Sequence, residues 1–188
     1  MIDGQSYDVS YKHSIAGALL EETFPSGRVV RNHIGVDGGI VSVSSKSANT
    51  PFRNFASNFN FTAAGAVKSM MLGNGRWETG EFNSRRQLTQ IGLGSSSTDT
   101  GLWKLTYHYG ELNPDGRTVD AAKNTGNIAM QTVSFAGLTE PFVQTYRYDS
   151  LYRITEARET NGPATNASRL HALTSTSRGA TAEFSRAA

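Results

Sequence analysis

The chain has 188 residues, 37% of them hydrophobic, with 19 glycines, 5 prolines, no cysteine and a formal net charge of +2. So small a charge, with its lysines and arginines dispersed, argues against a nucleic-acid partner, and the lack of cysteine excludes disulfides, thiolate metal sites and a thiol nucleophile. There is no run of about 18 apolar residues to span a membrane, and Met1-Ile2-Asp3-Gly4-Gln5 has neither the basic nor the apolar region of a signal peptide.

Along the chain one spacing recurs. His13 is followed by Gly17, by the apolar Leu19, and by a second glycine, Gly27, in the turn Pro25-Ser26-Gly27. Ile34 leads in the same way to Gly38 and Ile40, in a repeat carrying about six extra residues within 45–55. Phe61, Gly65, Val67 and Gly75 form the clearest copy. Phe82 then leads to Arg86 in the glycine slot and Leu88 in the apolar slot. Tyr107-His108-Tyr109 opens a repeat whose glycine and apolar residue are delayed to Gly126 and Ile128, by an insertion of about 13 residues that includes 110–120. The last repeat runs from Tyr148 through Tyr152 and Ile154 to Gly162.

A second aromatic often stands two residues before the aromatic slot: Tyr11, Phe59, Tyr107 and Tyr146. Residues two apart share one face of a strand, so each repeat opens with an aromatic pair suited to cross-strand packing. A short polar segment ending in glycine is a hairpin connection, because glycine accepts positive φ. The strand over 66–72, the turn Gly73-Asn74-Gly75 and the return strand over 76–82 complete the pattern. Each repeat is thus two strands and two turns. The expected fold is all-β, an antiparallel meander of hairpins forming a curved open sheet. Gly17, Gly27, Gly38, Gly65, Gly75, Gly126, Asp149 and Gly162 are its expected turn and structural positions. The segment 15–22 has a helical look, but Gly17 and the repeat register favour strand. The insertion at 111–123 and the chain after Gly162 read as loops. Residues 1–162 form the repeat region, and 163–188 an Ala/Ser/Thr-rich tail that is expected to be poorly ordered.

Tyr148-Asp149-Ser150-Leu151-Tyr152-Arg153-Ile154 resembles the Rhs or YD-repeat motif: tyrosine–aspartate, two free residues, glycine, often arginine, then an apolar residue. Tyr152 here replaces the glycine. Phe61-Thr62-Ala63-Ala64-Gly65-Ala66-Val67 keeps the glycine and lacks the aspartate. The resemblance covers about residues 7–162. It implies a segment of a β-shell, a non-enzymatic scaffold that encloses or presents a toxin or effector domain, in a secreted or cell-surface parent. Its partners would be the remainder of a longer repeat chain or a toxin cargo, with no cofactor. About six repeats are too few to close a shell, and the aspartate–proline–x–glycine self-cleavage setting is absent, so the chain reads as a fragment.

Chemical alternatives are weaker. His13, His33, His108 and His171 are scattered, with no metal-binding spacing. No GxSxG elbow is present. Residues 92–101 are glycine-rich without the ending of a phosphate loop, and read as an inter-strand loop. Asn113, Asp115 and Asp120 do not match a calcium loop. The alternative function is a cell-surface carbohydrate-binding or adhesion module, in which exposed aromatics stack on glycans. Trp77, Trp103, Tyr107 and Tyr146 are its candidates; as structural residues the same side chains would form the packing face of the sheet.

Overall fold

The structure, a computed structural model, describes residues 3–4, 6–160 and 172–174. The chain divides into two compact units, one of residues 1–79 with 94–99 and one of residues 80–93 with 100–188. In the first, β1 (Ser10–His13), β2 (Leu19–Thr23), β3 (Val29–Ile34), β4 (Ile40–Lys46), β5 (Arg53–Phe61), β6 (Val67–Leu72) and the start of β7 (Trp77–Phe82) each pair antiparallel with the next. The second unit holds β8 (Leu88–Gly94, whose last residue belongs to the first unit), β9 (Trp103–Tyr109), β10 (Glu111–Leu112), β11 (Val119–Asp120), β12 (Ile128–Phe135), β13 (Phe142–Tyr148), β14 (Ile154–Thr160) and β15 (Ala172–Thr174). Its strand order is β8-β9-β12-β13-β14-β15, with β10 and β11 paired apart as a two-stranded hairpin. Neighbours follow chain order and the order is linear, so the fold is an all-β, open antiparallel meander.

The repeat spacing has a direct geometric meaning. The aromatic slot and the apolar slot six residues later are cross-strand partners: His13 opposite Leu19, Ile34 opposite Ile40, Phe61 opposite Val67 and Tyr148 opposite Ile154. A register shift falls just before each of these aromatic-slot residues. Between the partners lies a three-residue loop closed by two backbone bonds. Ser14 N–H donates to Ala18 O and Gly17 N–H to Ser14 O, at 2.8 and 2.9 Å. Thr62 with Ala66, Asn83 with Gln87 and Asp149 with Arg153 repeat it. So do the outer turns, Phe24 with Arg28 and Leu72 with Arg76. The loop's last residue must be left-handed, as in the three-residue hairpin that ends in a bulge. That residue is glycine at most joints. Arg86 and Tyr152 adopt φ of 62° and 60° in the same place, so the surrounding ladder imposes the conformation even where a side chain disfavours it.

The insertion differs from the expected loop. It holds the hairpin β10–β11 and a 3-10 turn over Ala121–Lys123, capped by the Asp120 carboxylate. Two-residue strands are too short to show the period-2 alternation that marks a strand in sequence. The glycine-rich stretch is also shorter as a loop, because β8 runs through Gly92 to Gly94. Strands β6 and β7 each begin one residue later than expected, at Val67 and Trp77. Within the tail, Ala172–Thr174 pairs with β14. Gly162 and the rest of 163–188 lie outside the described residues.

Burial follows from a sheet with little covering it. Among the described residues the buried hydrophobics are Leu112 and Ala129. The other buried side chains are small hydroxyls: Ser44, Ser45, Ser57, Ser69, Thr79 and Thr145. A short side chain in mid-strand is shaded by longer neighbours beside and across from it, whereas the long ones keep one flank in solvent.

Candidate functional site

The structural positions come first. Gly17, Gly27, Gly38, Gly65, Gly75 and Gly126 have φ of 83°, 76°, 80°, 82°, 79° and 103°. Asp149 closes its own loop: one carboxylate oxygen accepts from the Leu151 and Arg153 amides at 2.9 and 3.0 Å, and the other meets the Arg153 guanidinium at 2.7 Å. The Arg153 amide, above all, holds the Asp149 carboxyl below the usual aspartate range. Sequence reading missed that three other repeats keep this device with other residues. Ser14 Oγ accepts from Ala18 N, Thr62 Oγ1 from Ala66 N, and Asn83 Oδ1 from Arg85 N and Gln87 N. The available signal was a short polar acceptor directly after four of the aromatic slots, at Ser14, Thr62, Asn83 and Asp149.

Two tyrosines add a tie between successive repeats. The Tyr109 hydroxyl donates to Leu88 O at 2.9 Å, and the Tyr148 hydroxyl to Ile128 O at 2.8 Å. In each case the acceptor is the apolar-slot residue of the preceding repeat. Ile128 in turn is the cross-strand partner of Tyr109, which fixes Tyr109 as the aromatic slot of the inserted repeat. Burial raises the pKa of both phenols, with the neighbouring Tyr107 adding to the shift at Tyr109.

Of the four glycan candidates, Trp77 lies in the first unit, half-buried opposite Met71 on β6. The other three share one face of the second unit. Register sets Trp103 beside Phe135, Tyr107 beside Gln131, Gln131 beside Gln144 and Gln144 beside Glu159, and Tyr146 stands two residues from Gln144. On that face Gln131 Nε2 donates to Gln144 Oε1, Gln144 Nε2 donates to Glu159 Oε2, and the Tyr146 hydroxyl donates to Gln144 Oε1 at 2.9 Å. Burial, followed by the charges of Tyr148, Glu159 and Tyr107, raises the Tyr146 pKa. Phe135 meets Phe142 edge-on at 6.2 Å between centroids. The result is an aromatic strip continued by a ladder of amide and carboxylate groups, a surface able to stack on and hydrogen-bond an amphipathic ring. Gln131, Gln144 and Glu159 lie on three strands and form no motif in sequence.

The opposite face of the second unit carries the insertion. Arg147 on β13 donates to Leu112 O and Asn113 O at 3.3 and 3.1 Å and pairs with Glu156 at 3.2 Å. At the insertion's other end Asn124 exchanges hydrogen bonds with Gln87, and its carbonyl accepts from Arg85 at 2.6 Å. The hairpin is therefore held at both ends. Between its tip and strands β12, β13 and β14 is a cavity of about 860 Å³, with Pro114, Arg117, Met130, Val143, Arg147 and Arg158 among its lining. His108 has its pKa lowered by burial. Among the described residues no group of three His, Asp or Glu side chains is placed to hold a metal ion.

No family model matches the chain, and no curated protein does. Solved structures do. The crystal structure of TcdB2-TccC3-Cdc42 matches with a TM-score of 0.67 and 19% identity, over 92% of this chain and 9% of that one. TcdB2-TccC3 without its hypervariable C-terminal region gives the same values. The Photorhabdus luminescens Tc holotoxin pore, with a mutant TccC3, matches with a TM-score of 0.67 and 20% identity, over 90% of this chain and 8% of that one. This chain spans less than one-tenth of the chains it matches, and what it shares with them is the fold. The Rhs/YD-repeat resemblance of its motifs is thus met by a likeness in architecture.

Proposed function

We propose that this chain is a non-enzymatic structural scaffold, a segment of an Rhs/YD-repeat shell that encloses or presents a toxin or effector domain in a secreted or surface-displayed protein. One observation carries the reading. The same hairpin joint recurs from Ser14 to Asp149, and its left-handed residue persists where Arg86 and Tyr152 replace glycine. A repeated backbone geometry that recurs with different side chains is what a wall requires. Its partners would then be further repeats of a longer chain, or the cargo. The likeness to toxin-complex chains supports this assignment.

A wall grows by adding strands at its edge. β1 is exposed along its whole length, with Tyr11 at 55%, and an unpaired edge recruits another strand. The purified chain is expected to associate with rising concentration in sedimentation velocity, and Tyr11→Pro to reduce that association by removing an edge donor. A monomer at every concentration would sink the scaffold reading. The second reading is a carbohydrate-binding module, favoured by the placement of Trp103, Tyr107 and Tyr146 on one face beside the Gln131–Gln144–Glu159 ladder. On that reading glycan-array binding is lost with Trp103→Ala; an empty array removes it.

A further inference from the structure

The insertion is more than a loop carried between β9 and β12. It folds back on one face of the second unit, held there by Arg147, and it carries Leu112, one of the two buried hydrophobics of the described residues. At its tip it stands off from the sheet and leaves the cavity of about 860 Å³, within the roughly 300–1,000 Å³ typical of ligand sites. A connection that only needed to be short or solvated would have no reason to enclose such a space.

The charges in the cavity are unequal. Three guanidinium groups line it, from Arg117, Arg147 and Arg158, against the carboxylates of Asp115 and Glu156. Glu156 is shared, pairing with both Arg147 and Arg158. Asp115 is spent within its own turn, accepting from the Arg117 and Thr118 amides and from the Thr118 hydroxyl at 2.9, 3.1 and 2.7 Å. The Arg117 amide, above all, holds the Asp115 carboxyl below its usual range, with the Arg117 charge a lesser contribution. The exposed Arg117 guanidinium makes no hydrogen bond or ion pair among the described residues, and the Arg158 side chain is 55% exposed. Two cations are therefore presented at the mouth, above a floor that includes Met130 and Val143 and walls that include Pro114 and Pro141.

We propose that this cavity receives an acidic peptide segment, with carboxylates held by Arg117 and Arg158 and apolar side chains seated on Met130 and Val143. Guanidinium favours carboxylate through paired planar hydrogen bonds. A nucleic acid shares the negative charge but needs aromatic stacking platforms, and no aromatic side chain lines this cavity. The proposal stands independently of the scaffold reading.

Fluorescence anisotropy of the full chain tests it. The probes are fluorescein-labelled Glu-Val-Glu-Ala-Glu-Val amide, its all-Gln counterpart and a labelled oligothymidine. The Glu peptide is expected to bind at least about tenfold more tightly than the Gln peptide, as about 1.4 kcal/mol of charge-assisted pairing requires. Arg117→Gln is expected to remove most of that difference and Arg117→Lys to restore part of it. The fold bond of Arg117 is made by its backbone amide, which the substitution keeps, so this variant reads binding without a change in thermal melting. Equal binding of the Glu and Gln peptides, indifference to Arg117→Gln, or tighter binding of the oligothymidine overturns the proposal.

Discussion

The two compact units use one hairpin joint and differ in what fastens it. In the first unit the aromatic slot holds His13, Ile34 and Phe61, which have no hydroxyl, and Phe61 stays 39% exposed. Its joints are supported by local ring contacts, Tyr11 with His13 at 6.4 Å and Phe59 stacked on Phe61 at 5.9 Å. In the second unit the same slot holds Phe82, Tyr109 and Tyr148, and there the two tyrosines each reach back to a carbonyl of the preceding repeat. There the insertion also lies over one face, held by Arg147, and carries the buried Leu112. The contrast separates two roles. The repeat spacing alone makes hairpins; hydroxyl ties and a covering hairpin couple one repeat to the next.

The comparison breaks most severely at Arg147. Arg147→Ala removes two bonds to the insertion's backbone and an ion pair to Glu156. A half-exposed group of this kind contributes about 2 kcal/mol, and amide hydrogen exchange over 111–120 is expected to accelerate while exchange in β2 to β4 is unchanged. Unaltered exchange at 111–120 would mean that the insertion is held by something other than this anchor.

The tyrosine ties are next. Tyr109→Phe and Tyr148→Phe each forfeit one hydrogen bond to a backbone carbonyl, at about 1 kcal/mol, measured as a shift in urea midpoint. The pH dependence has a definite sign. Both phenols have folded-state pKa values raised by burial, so their contribution is fully present below about pH 10 and is lost as pH rises through the raised values. The phenylalanine variants are expected to flatten that alkaline loss. If the wild type shows no alkaline weakening above pH 10, the ties are not contributing.

The smallest expected effect is a gain. Tyr152→Gly and Arg86→Gly restore the residue that a left-handed φ favours, against a cost of roughly 1 kcal/mol for an L side chain there. Both are expected to raise the thermal midpoint, offset in part by the entropy glycine adds to the unfolded chain. A fall in midpoint at both sites would show that these side chains stabilise the joint by contacts that outweigh the backbone strain.

Much of the joint was legible in the sequence because its causes are local. A residue that must adopt positive φ reads as glycine, and a short polar segment ending in glycine between strand-like runs reads as a hairpin connection. Legibility ended where one function is met by several residue types. Ser14, Thr62 and Asn83 all accept the amide that Asp149 accepts, so a search for aspartate finds one copy of four. It ended again in the insertion, where β10 and β11 are two residues each and their backbone is bonded by Arg147, more than thirty residues away.

The sequence by itself determined the all-β class, the chain-order meander and the places of its turns, since backbone sterics and cross-strand pairing act within a few residues. Only the tertiary structure decided which face each side chain serves. Register gathered Trp103, Tyr107 and Tyr146 with the Gln131–Gln144–Glu159 ladder, and anchors at both ends hold the insertion on the other face, where it bounds a cavity. Register and long-range anchoring are set by partners far apart in the chain, and their spacing leaves no local periodic trace.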